Sequence, residues 1–158
     1  MSETLTSEAK MAWGGLLVAH ARLTRSIDAT LQAEGFLSLD VYDVLLALED
    51  SPDQRMRLCE LAHRVIFSPS GLTRMLDRLE KAGWVRREAH PSDRRSLLAV
   101  LTAEGLAARE RTWPRYRDLI QEHFGRHLSS EESAQMTVLF HRLLGAEATE
   151  CPNGANEK

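Results

Sequence analysis

Two cysteines in 158 residues, Cys59 and Cys151, are too few and too far apart to build a disulfide scaffold. No apolar run approaches the length of about 18 residues that a membrane-spanning helix needs, so no span is expected. The amino terminus, MSETLTSEAK, has no basic region followed by an apolar one. A secretory signal is therefore not expected, and the cytoplasm is the natural address. The histidines are scattered: His20, His63, His90, His123, His127 and His141. Only His123 and His127 stand four apart, and no carboxylate lies among Phe124, Gly125 and Arg126 between them. No metal-spaced His/Cys cluster, phosphate-cradling glycine loop or recognisable nucleophile motif is present. These absences leave an enzyme without a foothold: no catalytic residue, metal or cofactor is expected.

What remains is one domain of ordinary size, long enough to bury a real core. Hydrophobic residues at 43% and charged residues at 27% place it among soluble globular chains. The net charge of −3 argues against a nucleic-acid binder until it is divided along the chain. Residues 55–95 hold ten Lys/Arg against five Asp/Glu, and the remainder holds ten against eighteen. The balances are +5 and −8. Positive charge gathered on one segment of an acidic body is the footprint of phosphate contact.

That segment has its own grammar. Leu58, Leu61, Ala62 and Val65 recur at three and four residues and mark one buried helix face. After Ile66 and Phe67, Ser68 is placed to cap a second helix, with Pro69 at its first position, where no N–H is required. Leu72, Met75, Leu76 and Leu79 share one side of that helix. Ser70, Thr73, Arg74, Asp77, Arg78 and Lys81 share the other, and Gly83 ends it. A polar, basic second helix after a short turn fits a major groove. Ser70 and Thr73 allow close approach, and Arg74 can pair bidentately with guanine. Standing alone, the same helix reads equally as a solvated amphipathic one.

After Gly83 the period changes. Trp84–Glu88 and Ser96–Leu101 read as short strands. Between them Ala89–Arg95 is polar and turn-rich, so the pair predicts a hairpin with an exposed tip carrying Asp93, Arg94 and Arg95. Arginines on such a tip suit a narrow minor groove, with Asp93 orienting one guanidinium. A charged hairpin exposed for no further reason is the plainer alternative.

The flanks are helical. Trp13, Leu16, Leu17, His20, Leu23, Ile27 and Leu31 give a long stripe over residues 7–33, too long to bury itself on a small lobe. Ser38 is expected to cap a helix over 39–49 with Val41, Val44, Leu45 and Leu48 inward and Tyr42 off the stripe. Thr102 caps a helix running to about Phe124, in which Pro114 predicts a kink or break near Thr112. Ser129–Glu132 is a capping box opening a last helix through Met136, Leu139, Phe140, Leu143 and Leu144. The apolar surplus of the terminal helices predicts an intersubunit interface.

Leu61-Ala62, Ser68-Pro69-Ser70, Leu72-Thr73-Arg74, Asp77-Arg78-Leu79-Glu80, Gly83, Arg86-Arg87, Asp93-Arg94-Arg95 and Leu101-Thr102-x-x-Gly105 together resemble the signature of the MarR family of winged-helix transcriptional regulators. The motifs cover roughly a third of the chain, and the helical flanks fit the family layout. The resemblance implies a mainly α fold with a small β-hairpin wing, a winged helix-turn-helix in an intertwined helical homodimer. Residues 1–158 then form a single domain. Residues 7–34 and 103–146 are mainly dimerisation helices, 39–101 the DNA-binding lobe and 149–158 a mobile tail. The implied partner is double-stranded DNA carrying an inverted-repeat operator, bound as a repressor. By the family's Asp-x-Arg pattern in the wing, Arg95 is the stronger minor-groove candidate of the two arginines. Gly71 departs from the family's usual larger residue, costs up to about 1 kcal/mol of helix stability, and leaves one contact position bare.

The resemblance also implies release by a small effector, aromatic by family habit, with Trp13, His20 and Tyr42 as candidate contacts. From the residues alone, His20 reads first as a satisfied structural histidine and Trp13 as interface core, with ligand contact as the sharper alternative. Relatives that sense peroxide carry a reactive cysteine near the start of the first helix, and none is present there. Cys59 reads as a small packed residue beside the apolar stripe, with redox sensing through it as the alternative.

Overall fold

Thr6 accepts the Ala9 N–H at 3.1 Å and starts α1, Ser7–Ala33. The computed structural model describes residues 4–65 and 69–145, with the backbone alone for 69, 70, 94 and 95. Along α1 the apolar stripe splits in two. Ile27 and Leu31, near its end, pack with Leu119 into a small core of their own. The amino-terminal half finds no cover among the described residues, and Trp13 is 61% exposed.

Gly35 (φ +78°) turns the chain into α2, Leu39–Glu49. Ser38 occupies the cap position in extended backbone, but its hydroxyl makes no capping bond. The expected cap is replaced from α1: Asp28 Oδ1 accepts the Leu39 N–H at 2.8 Å. A carboxylate is a stronger acceptor than a hydroxyl at a helix amino terminus, and here it also ties two helices together. Tyr42 departs from expectation as well. It is not off the packed side but 2% exposed, because α5 covers the flank of α2 that carries it.

A 3₁₀ turn at Pro52–Gln54 leads into β1, Arg55–Arg57. The helix-turn-helix follows as α3, Leu58–Arg64, and α4, Pro69–Lys81. Leu72, Met75, Leu76 and Leu79 of α4 are all buried, together with Leu61 of α3, in the main core. Ser68, the expected cap, lies outside the described residues. The carboxyl end of α4 closes as predicted. Gly83 at φ +76° lets the Trp84 N–H reach the Leu79 carbonyl at 2.9 Å, a left-handed turn that any side chain would strain.

The wing is larger than a hairpin. β2, Val85–His90, and β3, Asp93–Leu101, pair antiparallel, and β1 adds to the far side of β3 in the order β1-β3-β2. The tip shrinks accordingly. His90 pairs with Asp93, so only Pro91 and Ser92 turn, and Asp93, Arg94 and Arg95 belong to β3. The register jumps between Ala89↔Leu97 and His90↔Asp93, leaving 94–96 without Cα partners on β2. Polar composition reads as a loop in sequence, but a bulge accommodates it inside a strand.

Thr102 knots the lobe to α5, Ala103–His123. Its oxygen accepts the Gly105 N–H at 3.0 Å while its hydroxyl donates to the Gly83 carbonyl at 2.7 Å. A Cβ on Gly105 would sit 2.2 Å from the Trp84 carbonyl oxygen, so only glycine fits. Of the kink or break expected near Thr112, the break does not occur: α5 runs through Pro114. Packing on both sides holds the helix against the lost hydrogen bond. Thr112, fully buried, donates to the Ala108 carbonyl at 3.0 Å, and Leu119 is buried against α1. Between them Arg115 forks onto Glu34 at 2.6 and 2.7 Å. α6, Ser130–Leu144, opens on the predicted capping box of Ser129 and Glu132 and buries none of its residues. Among the described residues, no helix is long and apolar enough to cross a membrane. The tail expected at 149–158 lies outside them.

Candidate nucleic-acid interface

The fold turns the polar side of α4 outward because the other side is committed to the core. Thr73, Arg74, Asp77, Arg78 and Lys81 are exposed, opposite the four buried apolar residues of α4. Thr73 and Arg74 are thus presented outward on α4. Arg78 is drawn sideways, with Nη2 3.1 Å from the Met75 sulfur. It lines a cleft of about 370 Å³ with Phe36, Val41, Leu79 and Trp84. Ser70 lies on α4, but its side chain is outside the described residues, as are those of Arg94 and Arg95. Asp93 is half-buried at the wing tip.

One residue that sequence reading gave no role connects the two halves of this surface. Arg87 of β2 donates to Asp77 Oδ1 at 2.6 Å, Glu80 Oε2 at 3.1 Å and the Thr73 carbonyl at 3.2 Å. Its backbone N–H reaches Glu80 Oε1 at 3.1 Å. The wing is therefore clamped to the outward face of α4, and two carboxylates that would face phosphate are neutralised. A signal for this was available. Alternation from buried Val85 puts residue 87 on the inner face, where a charge must find a partner. A second clasp lies near the tip. Arg57 Nη2 is 3.3 Å from His90 Nε2, and the Ser92 N–H is 3.3 Å from His90 Nδ1.

The candidate effector contacts do not converge. Trp13 and His20 are exposed on α1. Tyr42 is buried in an aromatic cluster, 4.9 Å from Tyr116 edge-on and 6.4 Å from Trp113 between ring centroids. Burial pushes the Tyr42 hydroxyl above its usual range, and a hydrogen bond with Arg109 opposes that. Arg109 also meets Glu49 in a largely buried ion pair. Among the described residues, Glu49 Oε2 and Arg109 Nε make no hydrogen bond. Cys59, expected to pack, is instead exposed on α3, a helix whose one fully buried residue is Leu61. Cys151 lies outside the described residues. His123 ends α5 and His127 ends the 3₁₀ turn after it, so the two do not share a helix face.

With this geometry in hand, comparison with known proteins is informative. The MarR family model matches residues 37–97, the lobe that carries α4 and most of the wing. The multiple antibiotic resistance protein MarR of Salmonella typhimurium is 36% identical over 73 residues, 46% of this chain. The chain spans about half of that relative's length (51%). Solved structures extend the likeness to nearly the whole chain. AbsC, a MarR family transcriptional regulator from Streptomyces coelicolor, is 32% identical with a TM-score of 0.79, over 92% of this chain and 97% of its own. Sco3205, another from Streptomyces coelicolor solved in complex with DNA, is 31% identical with a TM-score of 0.82, over 95% and 94%. The helix-turn-helix, the clamped wing and these relatives agree: the chain belongs to the MarR family of transcriptional regulators.

Proposed function

We propose that the chain is a cytoplasmic, sequence-specific repressor that binds a pseudo-palindromic operator as a homodimer and is released by a small ligand. The observation that carries this reading is the outward polar face of α4, clamped by Arg87 to the wing on the segment where positive charge is concentrated. Arg74 and Thr73 read base edges, with Ser70 beside them. Arg95, with Arg94 and Asp93, serves the minor groove. The relative Sco3205, solved with DNA, supports the choice of partner. The dimer is supported by the uncovered apolar faces of α1 and α6, where Trp13, Leu17, Val138, Leu139, Leu143 and Leu144 are all exposed. An apolar surface of that extent is rarely left to water.

The effector acts by favouring a dimer whose reading helices are wrongly spaced, since a ligand shifts only equilibria in which it discriminates. The cleft lined by Phe36, Val41, Trp84 and Arg78 touches both the helical base and α4. Its volume is within the range of small-molecule sites, about 300–1,000 Å³. Two substitutions test the assignment on an inverted-repeat duplex recovered by selection from a random pool. Arg74→Ala should relax base preference at one position per half-site, and Arg95→Ala should weaken binding to all sequences alike. If both variants bind and discriminate like the wild type, the reading surface is misassigned.

A further inference from the structure

Antiparallel partners project to the same side of a sheet, so the register sorts the wing into two faces. Met56, Ala99 and Arg87 form a row on the inner face, toward α4 and the core. Arg55, Val100 and Arg86 form a row on the outer face, and Arg57, Leu98 and Glu88 form the next. Leu98 and Val100 belong to neither core cluster, yet they are only 6% and 5% exposed. Long side chains from both edges flank this apolar pair, and arginine stems can bury along such a surface while their heads stay in water. The heads do stay out: the Arg55 and Arg86 side chains are 42% and 59% exposed.

We infer that this outer face is a second phosphate-contacting surface, which follows the DNA backbone beyond each half-site. The inference rests on the DNA-binding reading above. Three arginines from two strands converge over one apolar pair, and threonine or glutamate could cover that pair equally well. Arginine adds a planar fork that matches phosphate. Arg57 is held by His90 at 3.3 Å, but the partners of Arg55 and Arg86 are exchangeable. Asp53 sits 3.6 Å from Arg55 on an open turn, and Glu88 sits 2.7 Å from Arg86 at the surface. Exposed pairs of this kind hold weakly in water and give way to a polyanion. The face is also continuous with the reading element, since Arg57 ends β1 and Leu58 begins α3.

The experiment compares two duplexes carrying the selected inverted repeat, one ending at the repeat and one extended by about one helical turn on each side, in keeping with half-site geometry. Wild type should bind the longer duplex more tightly and with a steeper salt dependence. Arg55→Gln/Arg86→Gln should bind the short duplex as wild type does and lose the gain from extension. Its salt slope on the long duplex should fall by about 0.9 for each phosphate contact removed. The corresponding double lysine variant keeps the charge and should retain much of the gain, which separates charge from misfolding. If the glutamine variant keeps the full extension gain, or loses both duplexes equally while the lysine variant loses neither, the inference is overturned. The face would then be left for an acidic protein partner or a role within the half-site. Wild type that binds neither duplex would sink the regulator reading itself.

Discussion

Arg87 illustrates how much of the interface depends on a residue that need never touch DNA. It ties the wing to α4 through Glu80, and it cancels Asp77 on the surface proposed to accept phosphate. Each of these partly exposed pairs contributes at most about 1 kcal/mol. Losing both also leaves two carboxylates facing a polyanion. Arg87→Ala should therefore weaken operator binding about tenfold or more, a change of about 1.4 kcal/mol or above. Lysine should recover only part, because it lacks the fork. Fluorescence anisotropy titrations decide this, and an Arg87→Ala curve that overlays wild type would refute it. Glu49 and Arg109 pose a different test at the same scale. Removing one partner of a largely buried pair leaves the other charge stranded. Glu49→Leu should cost about 2 kcal/mol in a urea melt, below the 3–5 kcal/mol of a fully buried pair because the side chain keeps some water. Glu49→Leu combined with Arg109→Met should recover most of that loss.

At the scale of elements, the sequence reads best where local chemistry and packing agree. α4 is legible from four apolar residues at helical spacing and a glycine that ends it, and α6 from a capping box. Misreadings cluster where a neighbour changes the outcome. Tyr42 lies off the stripe of α2 only if α2 has one packed side, and α5 supplies a second. Pro114 breaks an isolated helix, but α5 is held from both ends by α1 and α2. The polar run Ala89–Arg95 has the composition of a loop, yet the pairings Ala89↔Leu97 and His90↔Asp93 keep most of it in strands. For Arg87, alternation names the face but not which helix lies across from it. The Gly83–Thr102–Gly105 knot joins the reading lobe to α5, and its tolerance is small. Gly105→Ala would force a Cβ to 2.2 Å from the Trp84 carbonyl. Overpacking of this kind costs about 1–3 kcal/mol. Calorimetry should show a lowered Tm for the variant, with operator affinity reduced beyond the fraction unfolded because the lobe is re-angled. An unchanged Tm would mean the junction yields without strain.

For the whole molecule, the acidic helical base and the basic reading segment divide the labour. In the proposed dimer the base would hold two lobes at a fixed separation, and its negative charge would disfavour other docking orientations. Its apolar faces on α1 and α6 are what a second copy would cover. Leu139→Glu, on α6, should shift the protein toward monomer in sedimentation experiments. It should also reduce affinity for a two-half-site duplex far more than for a single half-site. A variant that stays dimeric with full affinity would move the interface elsewhere.

The central claim, a dimer whose two α4 helices read matching half-sites, is tested most directly by selection of bound sequences from random duplexes at two salt concentrations. The account predicts an enriched inverted repeat whose halves are separated by about one or two helical turns, with affinity falling steeply as salt rises. Enrichment of a single, unrepeated site would contradict the dimeric arrangement. Absence of any binding at low salt would contradict the account as a whole.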